Sequence, residues 1–96
     1  MELIEKVEEM QAWAREKRAQ RQIIGFVPTM GFLHQGHLSL MEYARPKCGL
    51  LTASIFVNPT QFAPTEDFAD YPRDLDRDLG LMRGMGVDLV FLPTAE

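Results

Sequence analysis

Hydrophobic and polar residues along the chain follow two different spacings. Apolar residues that recur every three or four positions predict a helix, and short continuous apolar runs predict buried strands. The helical spacing covers 2–20, 34–45 and 73–85, and the apolar runs cover 22–27, 50–57 and 87–92. The predicted order of elements is therefore α-β-α-β-α-β.

The first and last helices are predicted from apolar stripes. In the first helix, acidic residues come early and basic residues late, an order that complements the helix dipole. Pro46 and Gly49 are expected to end the second helix, and Gly86 the third. The first stripe consists of Leu3, Val7, Met10 and Ala14, flanked by Ile4 and Trp13, and the last of Leu75, Leu79 and Met82.

Strands that alternate with helices pair in parallel through right-handed crossovers. The run 50–57 is apolar on both faces, which is typical of a parallel strand between two helical layers. A chain of 96 residues is one domain at most. The sequence therefore predicts an α/β fold, half of a doubly wound, Rossmann-like parallel sheet of the kind that binds nucleotides.

Composition and charge limit the classes of protein to which this chain can belong. The apolar content of 46% and charged content of 25% are typical of a globular protein, and a net charge of −4 argues against nucleic-acid binding. The single cysteine, Cys48, cannot form an internal disulfide and suits a reducing compartment. We find neither a signal peptide at the acidic start of the chain nor an apolar run of membrane-spanning length, so we expect a cytoplasmic protein.

The candidate chemistry is concentrated where the first predicted strand meets the second helix. The segment from Pro28 to His37 reads Pro-Thr-Met-Gly-Phe-Leu-His-Gln-Gly-His. Its two histidines, His34 and His37, fall at a helix N-terminus just past the carboxyl end of a strand, where parallel sheets bind ligands and helix dipoles favour anions. Two imidazoles placed there can donate hydrogen bonds to a phosphate during adenylyl transfer.

Two other interpretations of the histidines compete with this one. They can simply cap the helix, with Gly36 tolerated between them. They can also ligate a metal, because positions i and i+3 share a helix face. Glu42 is the only nearby carboxylate on that helix, too few ligands for a structural zinc site. We therefore predict no metal-ligating residues.

A second polar segment follows the second predicted strand. Asn58-Pro59-Thr60-Gln61-Phe62 should face the histidine loop across the carboxyl edge of the sheet. The Gln61 amide suits a substrate with hydroxyl and carboxylate groups, although an Asn-Pro turn with a solvated glutamine fits equally well. In the last helix, Arg73 is expected to pair with a neighbouring aspartate, and the remaining acids are interpreted as surface charge: Asp74, Asp76 and Asp78.

Taken together, these motifs resemble the pantothenate synthetase (pantoate–β-alanine ligase) family. The His-x-Gly-His motif alone is shared with other adenylyltransferases and class I aminoacyl-tRNA synthetases, whereas the combination is far more specific. The matching pieces lie in family order over nearly the whole chain: Val27–Gly31, Leu33–Leu40, Ser54–Phe62, Glu66–Phe68, Tyr71–Arg73 and Gly86–Phe91.

The resemblance implies a two-step reaction with ATP and Mg²⁺. Pantoate attacks the α-phosphate to give pantoyl-adenylate, and β-alanine then displaces AMP to give pantothenate. His34 and His37 would be catalytic, with His37 similar to the residue assigned as proton donor, and Gly36 would let adenine lie against the backbone. The ATP-binding residues would be Met30, Gly31, Phe32, Leu33, His34, Gln35, Gly36 and His37, and those for pantoate or β-alanine Gln61, Pro28, Met30 and Tyr71.

Length separates the chain from the family it resembles. Members are several-fold longer, so residues 1–96 are expected to be the N-terminal part of the catalytic domain, without its second half or the C-terminal domain. We expect such a piece to be inactive alone and to form a homo-oligomer, a dimer in the simplest case. The alternatives are another His-x-Gly-His adenylyltransferase and a non-catalytic, self-associating half-domain.

Overall fold

A computed structural model describes residues 1–56 and 74–93. Within them the chain forms four strands and three α-helices, joined in places by short turns. The strands are β1 (Glu2–Ile4), β2 (Ile24–Thr29), β3 (Leu50–Ile55) and β4 (Leu89–Phe91). The helices are α1 (Val7–Ala19), α2 (Gln35–Ala44) and α3 (Leu75–Gly84), and a 3₁₀ turn, Arg45–Lys47, follows α2.

The four strands form one parallel sheet in the order β1-β4-β3-β2. The longest pairing joins β2 to β3, from Ile24 opposite Leu50 to Thr29 opposite Ile55. This confirms the predicted α/β fold with a parallel sheet. It also brings the carboxyl ends of β2 and β3 side by side, at the edge of the sheet where the histidine loop begins.

The start of the chain differs from the prediction of one helix over residues 2–20. Glu2–Ile4 is a strand that pairs with β4, and the helix begins only at Val7. The backbone explains the difference, because Glu2 N–H donates to Asp88 O at 3.0 Å and Leu92 N–H donates to Ile4 O at 2.7 Å. A strand at this position pairs with the backbone N–H and C=O groups at the open edge of β4, whereas a helix would leave those groups without hydrogen bonds.

The core lies between the sheet and the helices α2 and α3. Strand β3 is buried along four consecutive residues, as the doubly apolar run predicted. In α3 the predicted stripe is only partly correct, because Leu75 is 46% exposed while Asp78 is buried beside Met82. The main buried cluster consists of Val27, Leu33, Met41, Leu51, Ala53, Met82, Val87 and Val90.

An ion pair fastens the amino ends of β3 and β4. Arg45 Nη1 donates to Asp88 Oδ2 at 2.9 Å and to Gly86 O at 2.7 Å, and Leu51 N–H donates to the same Asp88 oxygen at 2.8 Å. Desolvation acts to raise the pKa of Asp88, but the hydrogen bonds from Arg45 and Leu51 outweigh it and the pKa is lowered. This cluster lies at the opposite end of the strands from the histidine loop, so we assign it a structural role.

None of the helices within 1–56 and 74–93 has both the length and the apolar character needed to cross a membrane.

Candidate functional site

The histidine loop leaves the sheet at Thr29, the last residue of β2. The Thr29 hydroxyl donates to Ser54 O at 2.8 Å and accepts the Gly31 N–H at 3.1 Å, which fixes the first turn of the loop against β3. Gly31 and Phe32 then both take positive φ values, 85° and 51°. Glycine adopts such values without strain, whereas phenylalanine rarely does. The loop therefore needs contacts with other parts of the chain to stabilise this conformation.

His34 and His37 cap helix α2 reciprocally. His34 is the N-cap, and its Nδ1 accepts the Gly36 N–H at 3.0 Å. His37 reaches back, and its Nδ1 accepts the His34 N–H at 3.1 Å. The ring centroids are 4.1 Å apart. Backbone N–H groups at the helix start are thus satisfied by imidazoles instead of the usual hydroxyl and carboxylate side chains.

This arrangement assigns the tautomer of each neutral ring. Because Nδ1 accepts a backbone N–H in both residues, the ring proton belongs on Nε2. Among residues 1–56 and 74–93, neither Nε2–H has a hydrogen-bond partner, so each histidine keeps a donor there that a ligand can use. Capping and ligand binding use different nitrogen atoms of the same ring and do not compete.

The environment keeps His37 uncharged near neutral pH. Burial lowers its pKa, the neighbouring His34 lowers it further, and the carboxylate of Asp78 opposes both. The net effect is a pKa below the ordinary value of 6.5. A neutral His37 is required for the cap, since a proton on Nδ1 would prevent it from accepting the His34 N–H.

Gly36 has a local role in this cap. A Cβ at this position would lie 2.8 Å from His34 Cε1 and 3.0 Å from His34 Nδ1. Any side chain would therefore push the His34 ring away from the helix start. This explains a glycine between the two histidines independently of the expected contact with adenine.

The prediction of surface charge is wrong for Asp78. This residue is 1% exposed, and its two carboxylate oxygens accept the N–H groups of Phe32 and Leu33 at 2.7 and 2.8 Å. Asp74 and Asp76 are exposed, as expected, and Asp74 caps α3 by accepting the Arg77 N–H. Asp78 lies four residues before buried Met82, on the inward face of the helix. That spacing was the available signal.

The other predicted ATP-site residues differ in their surroundings. Leu33 is buried in the core, so its side chain anchors the loop. Phe32 is 51% exposed, with the Arg77 guanidinium carbon 5.8 Å from its ring centroid. Gln35 is exposed and contacts Ser39. Met30 is half-buried in the loop, and Pro28 is exposed within β2.

The predicted pantoate residues Gln61 and Tyr71 lie outside the described residues, as does Arg73. Across 1–56 and 74–93, no three histidine, cysteine, aspartate or glutamate side chains are grouped in a way that could hold a metal ion.

Comparison with known proteins places this loop in a family. A family model described as pantoate-beta-alanine ligase matches residues 2–96. The pantothenate synthetase of Thermosipho africanus is 55% identical over the whole chain, and that of Heliobacterium modesticaldum is 57% identical over 99% of it. The chain covers 34% of each of these relatives, so it spans about a third of their length.

Solved structures agree with the sequence matches. Pantothenate synthetase from Thermus thermophilus superposes with a TM-score of 0.80 at 49% identity, covering the whole chain and 33% of that protein. The pantoate-beta-alanine ligase from Francisella tularensis, complexed with beta-gamma ATP and beta-alanine, gives 0.87 at 38% identity, covering 99% of the chain and 36% of that protein. On the match from residue 2 to residue 96 and on relatives more than half identical over the same span, the chain belongs to the pantoate–β-alanine ligase family.

Proposed function

We propose that this chain forms one wall of the ATP site in an enzyme that condenses pantoate with β-alanine to give pantothenate. The pantoate carboxylate attacks the α-phosphorus of ATP, and pyrophosphate leaves. The amine of β-alanine then attacks the acyl carbon of pantoyl-adenylate, and AMP leaves. Family membership supports this reaction, and the ligands named for the Francisella tularensis protein support ATP and β-alanine as its substrates.

The observation that carries the proposal is the reciprocal histidine cap. As far as the described residues go, it leaves two Nε2–H donors at the N-terminus of α2, where the helix dipole already favours an anion. Donors fixed in advance stabilise negative charge that grows on phosphate oxygens in the transition state. His34 and His37 would hold the triphosphate, and Met30, Gly31, Phe32, Leu33, Gln35 and Gly36 would form the loop around it.

The lowered pKa of His37 refines its proposed role. Family resemblance assigns it as a proton donor, but a ring that is neutral at pH 7 acts most simply as a hydrogen-bond donor that keeps its proton. In this proposal His37 stabilises the charge on the leaving phosphate without transferring a proton.

Pantoate and β-alanine are assigned to the other side of the site, to Gln61 and Tyr71 together with Pro28 and Met30. For Mg²⁺, which the resemblance implies, the described residues offer no group of three or more histidine, cysteine, aspartate or glutamate side chains, and the carboxylate of Asp78 is committed to backbone N–H groups. The roles given to the histidines are independent of Mg²⁺. We place the reaction in the cytoplasm and the assembled enzyme in a homo-oligomer.

A chimera tests the proposed function. This chain would replace the matching third of Thermosipho africanus pantothenate synthetase, and pantothenate formation would be measured with ATP, pantoate and β-alanine. We expect AMP and pantothenate in equal amounts and exchange of labelled pyrophosphate into ATP that requires pantoate. A folded chimera that binds ATP but forms neither product would overturn the proposal.

Titration of the separate chain with ATP addresses the non-catalytic alternative. A half-domain that serves only for association would release no heat with ATP. Binding that is lost in a variant with both histidines replaced by alanine supports the nucleotide site instead.

A further inference from the structure

The Asp78 side chain connects helix α3 to the histidine loop by accepting hydrogen bonds from backbone N–H groups of the loop. Both of its oxygens are used, one by the Phe32 N–H at 2.7 Å and one by the Leu33 N–H at 2.8 Å. Arg77 Nη1 lies 3.5 Å from the same carboxylate. A carboxylate that is 1% exposed is stable only when its charge is matched in this way.

The loop needs this contact because of its own conformation. Gly31 and Phe32 have positive φ, and a Cβ on Gly31 would lie 3.3 Å from Asp78 Oδ2. The backbone therefore passes tightly against the carboxylate. Phe32 is a non-glycine residue in a sparsely populated conformation, a state that persists only when the surroundings determine it. The next residue after this pair of hydrogen bonds is His34, the N-cap.

We propose that Asp78 is a positioning residue for the ATP chemistry, which places the His34–His37 pair by holding the backbone of Phe32 and Leu33. This inference rests on the proposed function, and it adds a residue from a different helix to the site. Without the carboxylate, the loop loses its only side-chain acceptor among the described residues for these two N–H groups. The imidazoles would then remain present but misplaced relative to the α-phosphate.

A purely structural role for Asp78 makes a different prediction. It would lower the amount of folded enzyme and leave the behaviour of the folded molecules unchanged. A positioning role changes turnover in the folded molecules, because small displacements of catalytic groups have large effects on rate. The Asp78 carboxylate also contributes to the electrostatic surroundings of His37. Two groups act on His37 there, Asp78 on α3 and His34 at the start of α2.

The test compares Asp78→Asn with Asp76→Asn in the chimera. Asp76 is an exposed acid in the first turn of the same helix, so the two variants lose the same charge from the same element. We expect Asp78→Asn to lower kcat about 100-fold with the KM for pantoate nearly unchanged, a size typical of a misplaced catalytic group. Asp76→Asn should keep the parent values. Parent-like kcat in Asp78→Asn, or loss that follows only the folded fraction, would overturn the inference.

A second readout does not depend on turnover. The chain has two histidines, so the imidazole proton resonances of His34 and His37 can be titrated in the 96-residue protein. Asp78→Asn removes the charge that raises the pKa of His37, and we expect that pKa to fall further, with no change in Asp76→Asn. If the unsubstituted chimera forms no pantothenate, the proposed function fails, and this titration still decides whether Asp78 acts on the histidines. An unchanged His37 titration counts against the inference.

Asp78→Glu covers the case in which Asp78→Asn does not fold. It keeps the charge and both acceptor oxygens but displaces them by one methylene. We expect a folded enzyme with a His37 pKa near the parent value and a kcat about 10-fold lower, since distance alone is changed. A parent-like kcat in Asp78→Glu would overturn a role that depends on position.

Discussion

The Nδ1 atom of His37 accepts the backbone N–H of His34 at 3.1 Å, while the Nδ1 of His34 accepts the N–H of Gly36 at 3.0 Å. The sequence offered two interpretations of these histidines, as helix caps or as phosphate ligands. The geometry shows that both histidines cap the helix through Nδ1, and no group of the described part of the chain takes up Nε2 of either ring. Helix stability and transition-state stabilisation can therefore be separated by substitutions that keep one ring nitrogen and remove the other.

Two substitutions at His37 make that separation. Asn places its amide oxygen near the Nδ1 position and keeps the cap, whereas Gln places its amide near Nε2 and keeps a donor for the ligand. We expect His37→Asn to retain thermal stability and to lose about 100-fold in kcat, the usual effect of one missing donor. His37→Gln should retain both the cap and more of the activity, because glutamine at this third helical position can accept the His34 N–H with its amide oxygen and still offer an amide N–H to the ligand. Melting curves and kcat in the chimera check this, and unchanged kcat in His37→Asn would refute the assignment.

The pH dependence follows from the lowered pKa of His37. The folded state binds a proton at His37 more weakly than the unfolded state does, so the group contributes stability above the unfolded pKa of about 6.5, and that contribution is lost as the pH falls through the folded value. We expect the free energy of unfolding, measured with denaturant, to fall between pH 8 and pH 5 and to fall less in His37→Gln. Equal pH dependence in the two proteins would show that His37 is not responsible.

Gly36→Ala should affect activity more than stability. Alanine favours the helix by up to about 1 kcal/mol, but its Cβ would meet the His34 ring at 2.8 Å and displace it, removing a cap of similar size. We expect a nearly unchanged Tm and a kcat at least about 10-fold lower, because His34 leaves its position. Gly80→Ala is the matched control, since a Cβ there meets nothing within 4 Å, and it should raise Tm without changing kcat.

Gln61 lies outside the described residues, so its assignment to pantoate remains a prediction. Gln61→Ala should leave the Tm of the chimera unchanged and sharply weaken pantoate binding, because buried polar groups of the substrate lose their partner. Gln11→Ala, an exposed glutamine of α1, serves as the control. A large loss of stability with normal pantoate binding would instead support the Asn-Pro turn interpretation.

As a separate polypeptide, the 96-residue chain is predicted to self-associate and to form no measurable pantothenate. Among the described strands β2 lies at one edge of the sheet, and its Phe26 is 56% exposed. Exposed apolar edge strands are templates for pairing with another chain. Light scattering should give a mass above the monomer, and Phe26→Lys should lower it. A monodisperse monomer that forms pantothenate would contradict both expectations.

The parallel sheet and the helix that begins at the histidines were predictable because their signals are local. Each strand from β2 onward is a continuous apolar run, and the polar loop follows β2 directly in sequence. Strand β1 was not predictable in this way. Its three residues carry no pattern of their own, and their conformation is decided by the open edge of β4, more than eighty positions away.

Asp78 was missed for a related reason. Beside Asp74 and Asp76 it looks like one more acid at a helix N-terminus, where the dipole favours negative charge. What sets it apart is a pair of N–H groups in a loop 45 and 46 residues earlier, left without partners by the positive φ values of Gly31 and Phe32. Helical spacing from Met82 places it on the inward face, but only the folded loop supplies its partners.

The strand order β1-β4-β3-β2 also has a consequence for synthesis on the ribosome. Strands β2, β3 and β4 can pair in the order in which they emerge, whereas β1 is made first and must wait for β4 before it has a partner. At ordinary translation rates that wait is roughly 10 s, far longer than the folding of a small domain needs. During this time Leu3 and Ile4 remain unpaired, so the nascent chain has an apolar N-terminus that chaperones can bind until Leu89–Phe91 has emerged.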